Sequence, residues 1–158
     1  MKGLPGFRFS TLIVIIMLNI LTLQVNGQVS KDESNTAKAK TTMRVRVTAN
    51  GKTTIFKLNT SQAAKDLYAQ LPLSIKVENY SNNEKIFYPP NKLNTNNTPQ
   101  ADAKVGTLAY YAPWGDVVMF YGDFGSAPGL YELGHAVSGI SIINQMTGTL
   151  RIEKEPES

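Results

Sequence analysis

The stretch from Met43 to Leu58, MRVRVTANGKTTIFKL, decides the fold. Met43, Val45 and Val47 alternate with Arg44, Arg46 and Thr48, Asn50-Gly51 follows, and a second alternation runs through Ile55 and Leu58. A period of two places alternate side chains on opposite faces of a strand, and Asn-Gly provides the positive φ values of a tight two-residue turn. The segment is therefore a β-hairpin, and the folded domain begins near Met43.

Downstream, Asn59 is a candidate helix cap with Gln62 three residues on, and Leu58 and Ala63 can staple the start of the helix. Ala63, Ala64, Leu67, Tyr68 and Leu71 recur at helical spacing until Pro72 ends the helix. Leu73, Ile75 and Val77 alternate as a strand, Tyr80 to Lys85 reads as a polar turn, and Ile86-Phe87-Tyr88 as a short strand ended by Pro89-Pro90. Asn91 to Lys104, rich in Asn, Thr and Pro, reads as a long surface loop with little to bury. Thr107 to Tyr111 and Asp116 to Tyr121 are strands around Pro113-Trp114-Gly115, and Gly122 to Gly129 is a glycine-rich loop. Leu130 to Val137 is a further strand, Ile140 to Met146 a short helix, and Thr149 to Glu153 the last strand. Short strands in this number with only two short helices imply an antiparallel barrel or sandwich.

Upstream, Met1 to Arg8 carries two positive charges and Leu12 to Leu23 is mostly apolar, with Val25-Asn26-Gly27 at the expected cleavage position. This is the pattern of a secretory signal, residues 1–27. The apolar run is shorter than the ~20 residues of a membrane-spanning helix. Residues 28–42 are polar and are expected to form a tether, residues 43–154 the domain, and residues 155–158 a fraying tail. The expected location is the bacterial periplasm or cell exterior, with no membrane span once the signal is removed.

Composition limits the function. Without Lys2 and Arg8 the chain has 14 basic and 12 acidic residues, scattered rather than in a stripe, which disfavours nucleic-acid binding. The absence of cysteine excludes disulfides, thiolate metal sites and Cys nucleophiles. No phosphate-binding glycine motif or nucleophile elbow stands in the chain, and the single histidine, His135, cannot form a His-based metal cluster. No cofactor or catalytic residue is indicated, and the oligomeric state is left open. Glu84 with Asp102, or Asp116 with Asp123, could form an acid–base pair, but Asp116 and Asp123 stand near glycines where turn and surface carboxylates are expected. Aromatic residues are concentrated between Phe87 and Tyr131. Within each adjacent pair one ring must leave the core, and Tyr88, Tyr111, Trp114, Phe120, Tyr121 and Phe124 are the candidates for a groove that holds a peptide or small molecule.

The phrases Leu71-Pro72-Leu73, Asn83-Glu84-Lys85, Tyr88-Pro89, Gly115-Asp116-Val117, Phe120-Tyr121-Gly122 and Leu133-Gly134-His135, in this order, resemble the bacterial cyclophilin-like proteins, small domains of mostly undetermined function. The resemblance covers about residues 43 to 154 and implies a mostly β fold: a closed antiparallel eight-stranded barrel with two short helices. A weaker likeness links Leu133 to Gly139 with the late barrel of the true cyclophilins, which are peptidyl-prolyl isomerases. Carried over, that likeness puts the position of the isomerase tryptophan near Gly125 and that of the isomerase histidine near Leu130, so neither residue type is present. The catalytic arginine phrase has no counterpart, since Arg44, Arg46 and Arg151 all lie on terminal strands. The resemblance thus implies the barrel fold and argues against efficient isomerase activity, and the leading expectation is non-catalytic binding of a peptide or small ligand in the aromatic groove. A divergent isomerase or foldase, and a structural or partner-binding envelope accessory, are the alternatives.

Overall fold

The computed structural model describes residues 42–156. The expected signal segment, the expected tether up to residue 41 and the end of the expected tail lie outside the described residues. The element order is β1 (Arg44–Ala49), β2 (Lys52–Leu58), α1 (Gln62–Ala69), β3 (Leu73–Lys76), β4 (Glu78–Tyr80), β5 (Glu84–Phe87), β6 (Thr107–Tyr111), β7 (Asp116–Phe120), β8 (Leu130–Ser138), a 3₁₀ helix (Ile140–Gln145) and β9 (Thr149–Lys154). The opening hairpin forms at Asn50 (φ 41°) and Gly51 (φ 75°) and pairs Arg44 with Lys57 through Ala49 with Lys52.

All nine strands join one antiparallel sheet in the order β3-β9-β1-β2-β8-β6-β7-β5-β4. The two outermost strands, β3 and β4, are separated in sequence only by Val77. The sheet must therefore curl until its edges approach, which makes a nearly closed barrel. Val77 is buried, and its N–H donates to the Gly148 carbonyl at 3.0 Å. The count is nine rather than the expected eight, because the alternation from Leu73 into Glu78 reads as one strand. The structure divides it: β3 pairs with β9, and β4 pairs with β5.

The barrel interior holds Phe56, Phe87, Leu108, Tyr110, Val117 and Met119, with Ala63, Ala64 and Leu67 of α1 and Ile143 of the 3₁₀ helix packed into the same core. Burial of such side chains contributes about 1.5–3 kcal/mol each for the larger ones. The N-cap of α1 is Ser61, whose Oγ accepts from the Ala64 N–H at 3.3 Å, rather than Asn59. Asn59 instead accepts from the Ser61 N–H at 3.0 Å and donates to the Glu132 carbonyl at 2.8 Å, fastening the approach to the helix onto β8. Glu155, expected in the tail, is still held: its N–H donates to the Arg44 carbonyl at 2.9 Å and its carboxylate meets Arg46 Nε at 2.7 Å.

The loop from Asn91 to Lys104 buries more than its composition suggests, because Leu93, Ala101 and Ala103 are all buried. Leu93 N–H donates to the Tyr110 hydroxyl at 3.3 Å, while Ala103 bridges to Gly125 and Gln100 to Tyr131. These contacts lay the loop across the outside of the barrel. A second apolar cluster forms there, from Ile86, Ala101, Ala103, Ala109, Val118, Phe120 and Leu130. Covering on both sides explains why every residue of β7 is buried. Among the described residues, no helix is long and apolar enough to cross a membrane.

Candidate functional site

Strand register selects the residues of the site. Tyr80 lies opposite Glu84, Glu84 opposite Phe120, Val118 opposite Ala109, and Asp116 opposite Tyr111, which itself lies opposite Leu130. Since alternate residues share a face, this set occupies the outer face of β4, β5, β7 and β6, the face opposite Phe87, Val117 and Met119. The covering loop leaves part of it open as a pocket of about 190 Å³. Val118, Phe120, Ala127 and Leu130 are its apolar lining, Tyr80, Tyr111, Trp114 and Phe124 its aromatic walls, and Glu84 and Asp116 its two carboxylates. Pockets for drug-sized ligands are usually ~300–1,000 Å³, so this one suits a small molecule or a single side chain.

Trp114 sits in the turn between β6 and β7, held by its N–H to the Tyr111 carbonyl at 3.2 Å and by Gly115 N–H to the same carbonyl at 2.8 Å. Its ring meets Tyr80 at 5.2 Å and 86°, and Tyr111 at 5.5 Å and 77°. Both are edge-to-face contacts, the arrangement that aromatic quadrupoles favour. Phe124 lies 5.5 Å from Phe120 at the other wall. Trp114 nevertheless remains 50% exposed, so the cluster forms a rim rather than a core.

The carboxylates are the part of the site that sequence reasoning misplaced. Glu84 and Asp116, expected at turns and surfaces, are 8% and 2% exposed. Asp102 and Asp123, their expected partners, are elsewhere: Asp102 is exposed with Lys104 at 3.7 Å, and Asp123 accepts from the Val105 N–H at 3.0 Å. Burial raises the Asp116 carboxyl to about 6, against the opposing effect of its own backbone N–H. Burial also raises Glu84, and the nearby Asp116 charge acts in the same direction. No ion pair among the described residues includes either group, and Asp116 Oδ1 is buried without a hydrogen-bond partner.

Of the six expected groove residues, the pocket brings together Tyr111, Trp114, Phe120 and Phe124. Tyr121 is not among its walls: its hydroxyl donates to Asn79 Oδ1 at 2.9 Å, and its ring lies 5.9 Å from the Lys85 ammonium. Tyr88 also stands outside the lining and is exposed, although partial burial and the Asp116 and Glu78 charges raise its phenol. Tyr80 was missed because the asparagine-rich segment around it reads as a turn. The only sequence signal for it is the possibility that residues 78–87 form a hairpin, which would put Tyr80 opposite Glu84. His135 is exposed on β8, between Lys57 and Thr107. Among the described residues, no group of three or more His, Cys, Asp or Glu is placed to hold a metal.

A sequence profile of the cyclophilin-like family matches residues 47–155, and the chain belongs to that family. The fold is similar to the solution structure of a hypothetical protein from Archaeoglobus fulgidus, with a TM-score of 0.57 and 15% sequence identity over 72% of this chain and 95% of that one. At that identity the likeness concerns the fold alone. No curated protein matches the sequence.

Proposed function

We propose that this is an exported binding module that holds a peptide side chain or a small molecule in the outer-face pocket without catalysing a reaction. The observation that carries this reading is the convergence of Tyr80, Tyr111, Trp114 and Phe124, from separate segments of the chain, on one small cavity that is open to solvent. Exposed rings around an apolar floor favour ligand capture, because desolvating both surfaces is the main driving force for association.

Trp114 is the only tryptophan, so its fluorescence reports on the pocket alone. Titration with a panel of acetylated amino-acid amides covering apolar, aromatic and charged side chains should shift that emission for at least one member, and Tyr111→Ala or Phe124→Ala should abolish the shift. If no member perturbs Trp114, the binding reading fails. The same protein in a proline-isomerisation assay should match the uncatalysed rate. Removing one preorganised donor typically costs about 10²–10³ in rate, and the arginines of the described strands, on β1 and β9, are not on the strands that form the pocket. Robust turnover lost with Phe120→Ala would establish the isomerase alternative instead.

Export rests on the charged and apolar leader of residues 1–27. Mass spectrometry of the exported protein should find a mature chain that starts near Gln28. An intact, membrane-held Met1 would refute this.

A further inference from the structure

We infer that the ligand of this pocket is an organic ammonium ion, either free or at the end of a lysine side chain, held between the Asp116 carboxylate and the aromatic corner of Trp114, Tyr80 and Tyr111. This rests on the binding reading above and names its chemistry. Two independent observations converge on it. Asp116 is almost fully buried yet lines the pocket with Oδ1 lacking a hydrogen-bond partner, and Glu84 brings a second carboxyl to the same space. A buried carboxylate is costly unless a donor or an opposite charge compensates it. Lys92 beside the turn is exposed, with Cε 4.0 Å from the position a Cβ on Gly115 would take, and forms no ion pair with Asp116.

The second observation is the three-ring corner, in which Trp114 stands edge-on to both tyrosines. Perpendicular ring planes let one small ligand meet more than one ring, and the negative faces of aromatic rings attract cations. An anion would meet two carboxyl groups and the ring faces together, so it is excluded. A neutral ligand could fill the cavity but would leave Asp116 uncompensated. A volume of about 190 Å³ accommodates a trimethylammonium group or the end of a lysine chain.

The test compares each cation with an uncharged shape-mate: choline with its isostere in which carbon replaces nitrogen, and acetyl-lysine amide with acetyl-norleucine amide. Calorimetry and Trp114 fluorescence are read at pH 7.5 on the folded domain. At least one cation should bind about tenfold or more tightly than its isostere, and Asp116→Asn should remove that preference by weakening the cation. Selection of choline alone assigns a free ammonium ligand, and selection of the lysine derivative alone assigns a protein side chain. Each outcome supports the inference. Equal binding of cation and isostere, or a preference that survives in Asp116→Asn with a native circular-dichroism spectrum, overturns it and leaves the pocket as an uncharged binding site. If none of these four probes perturbs Trp114 while a member of the amide panel does, this inference falls and the binding reading stands.

Discussion

Asp116→Asn is expected to stabilise the folded protein at pH 7.5 by about 2 kcal/mol. The carboxyl is raised from 3.8 to about 6 by burial. A tenfold change in a protonation equilibrium corresponds to about 1.4 kcal/mol, so the charged form disfavours the fold by up to about 3 kcal/mol, and an asparagine amide retains part of the desolvation cost. The pH dependence follows in sign. Below 3.8 the group is protonated in both folded and unfolded chains, and its favourable contribution is complete. Between 3.8 and about 6 the folded chain keeps a proton that the unfolded chain has released, so stability falls as pH rises, and above about 6 the loss is full. Glu84, raised by burial and by Asp116, adds a slope of the same sign. The other ionisable groups placed near Asp116 include Glu78, Tyr80, Tyr88, Tyr110, Tyr111 and Lys92. Urea denaturation at pH 5 and pH 7.5 should show the wild type losing more stability over this interval than the variant. A variant less stable than wild type at pH 7.5 would show that Asp116 has a compensating partner.

Gly134→Ala is expected to destabilise by about 3 kcal/mol or more, enough to lower the melting temperature by roughly 10 °C or more in a domain of this size. Gly134 lies on β8, paired with Leu58 of β2 on one side and Leu108 of β6 on the other, next to the register shift at Leu108/Ala109. A Cβ there would stand 2.2 Å from the Lys57 carbonyl oxygen and 2.8 Å from Leu58 Cα. Both are backbone atoms of a central strand, so relief requires β2 and β8 to separate. Gly51→Ala is the control, since its added Cβ meets nothing within 4 Å and only its φ of +75° is strained. That change should cost about 1 kcal/mol. Equal melting temperatures for the two variants would show that the β2–β8 contact is not tight.

The two carboxyl groups show where a linear reading stops. Glu84 and Asp116 look like turn residues because each stands beside a chain reversal, and polar residues favour such places. Their burial comes from a distant segment: Ala101 and Ala103 of the loop, and Ala127 and Leu130 beyond β7, cover the outer face against which they lie. Loop composition conceals this, because two alanines in a run of Asn, Thr and Pro give no apolar periodicity. The rings were more legible. The alternation of Tyr110 with Tyr111 requires one of them to leave the interior, and Tyr110 is buried while Tyr111 faces the pocket. Phe120 and Tyr121 follow the same rule with a different result: Phe120 is buried against the outer layer, and Tyr121 lies at the edge of the barrel core.

Local sequence determined the elements of this protein, because strand alternation, the Asn50-Gly51 turn and the helical spacing from Ala63 are short-range properties that bonded geometry and side-chain size impose on neighbouring residues. The order of its family-like phrases carried the barrel as well. Only the tertiary structure decided that Val77 divides one alternating run into the two edges of the sheet, that the loop from Asn91 to Lys104 forms an outer layer, and that Glu84, Asp116 and the Trp114 corner share one pocket. Those three outcomes depend on pairing between segments tens of residues apart, where the free energy of burial and the hydrogen bonds of the ladder outweigh the preference of each residue taken alone.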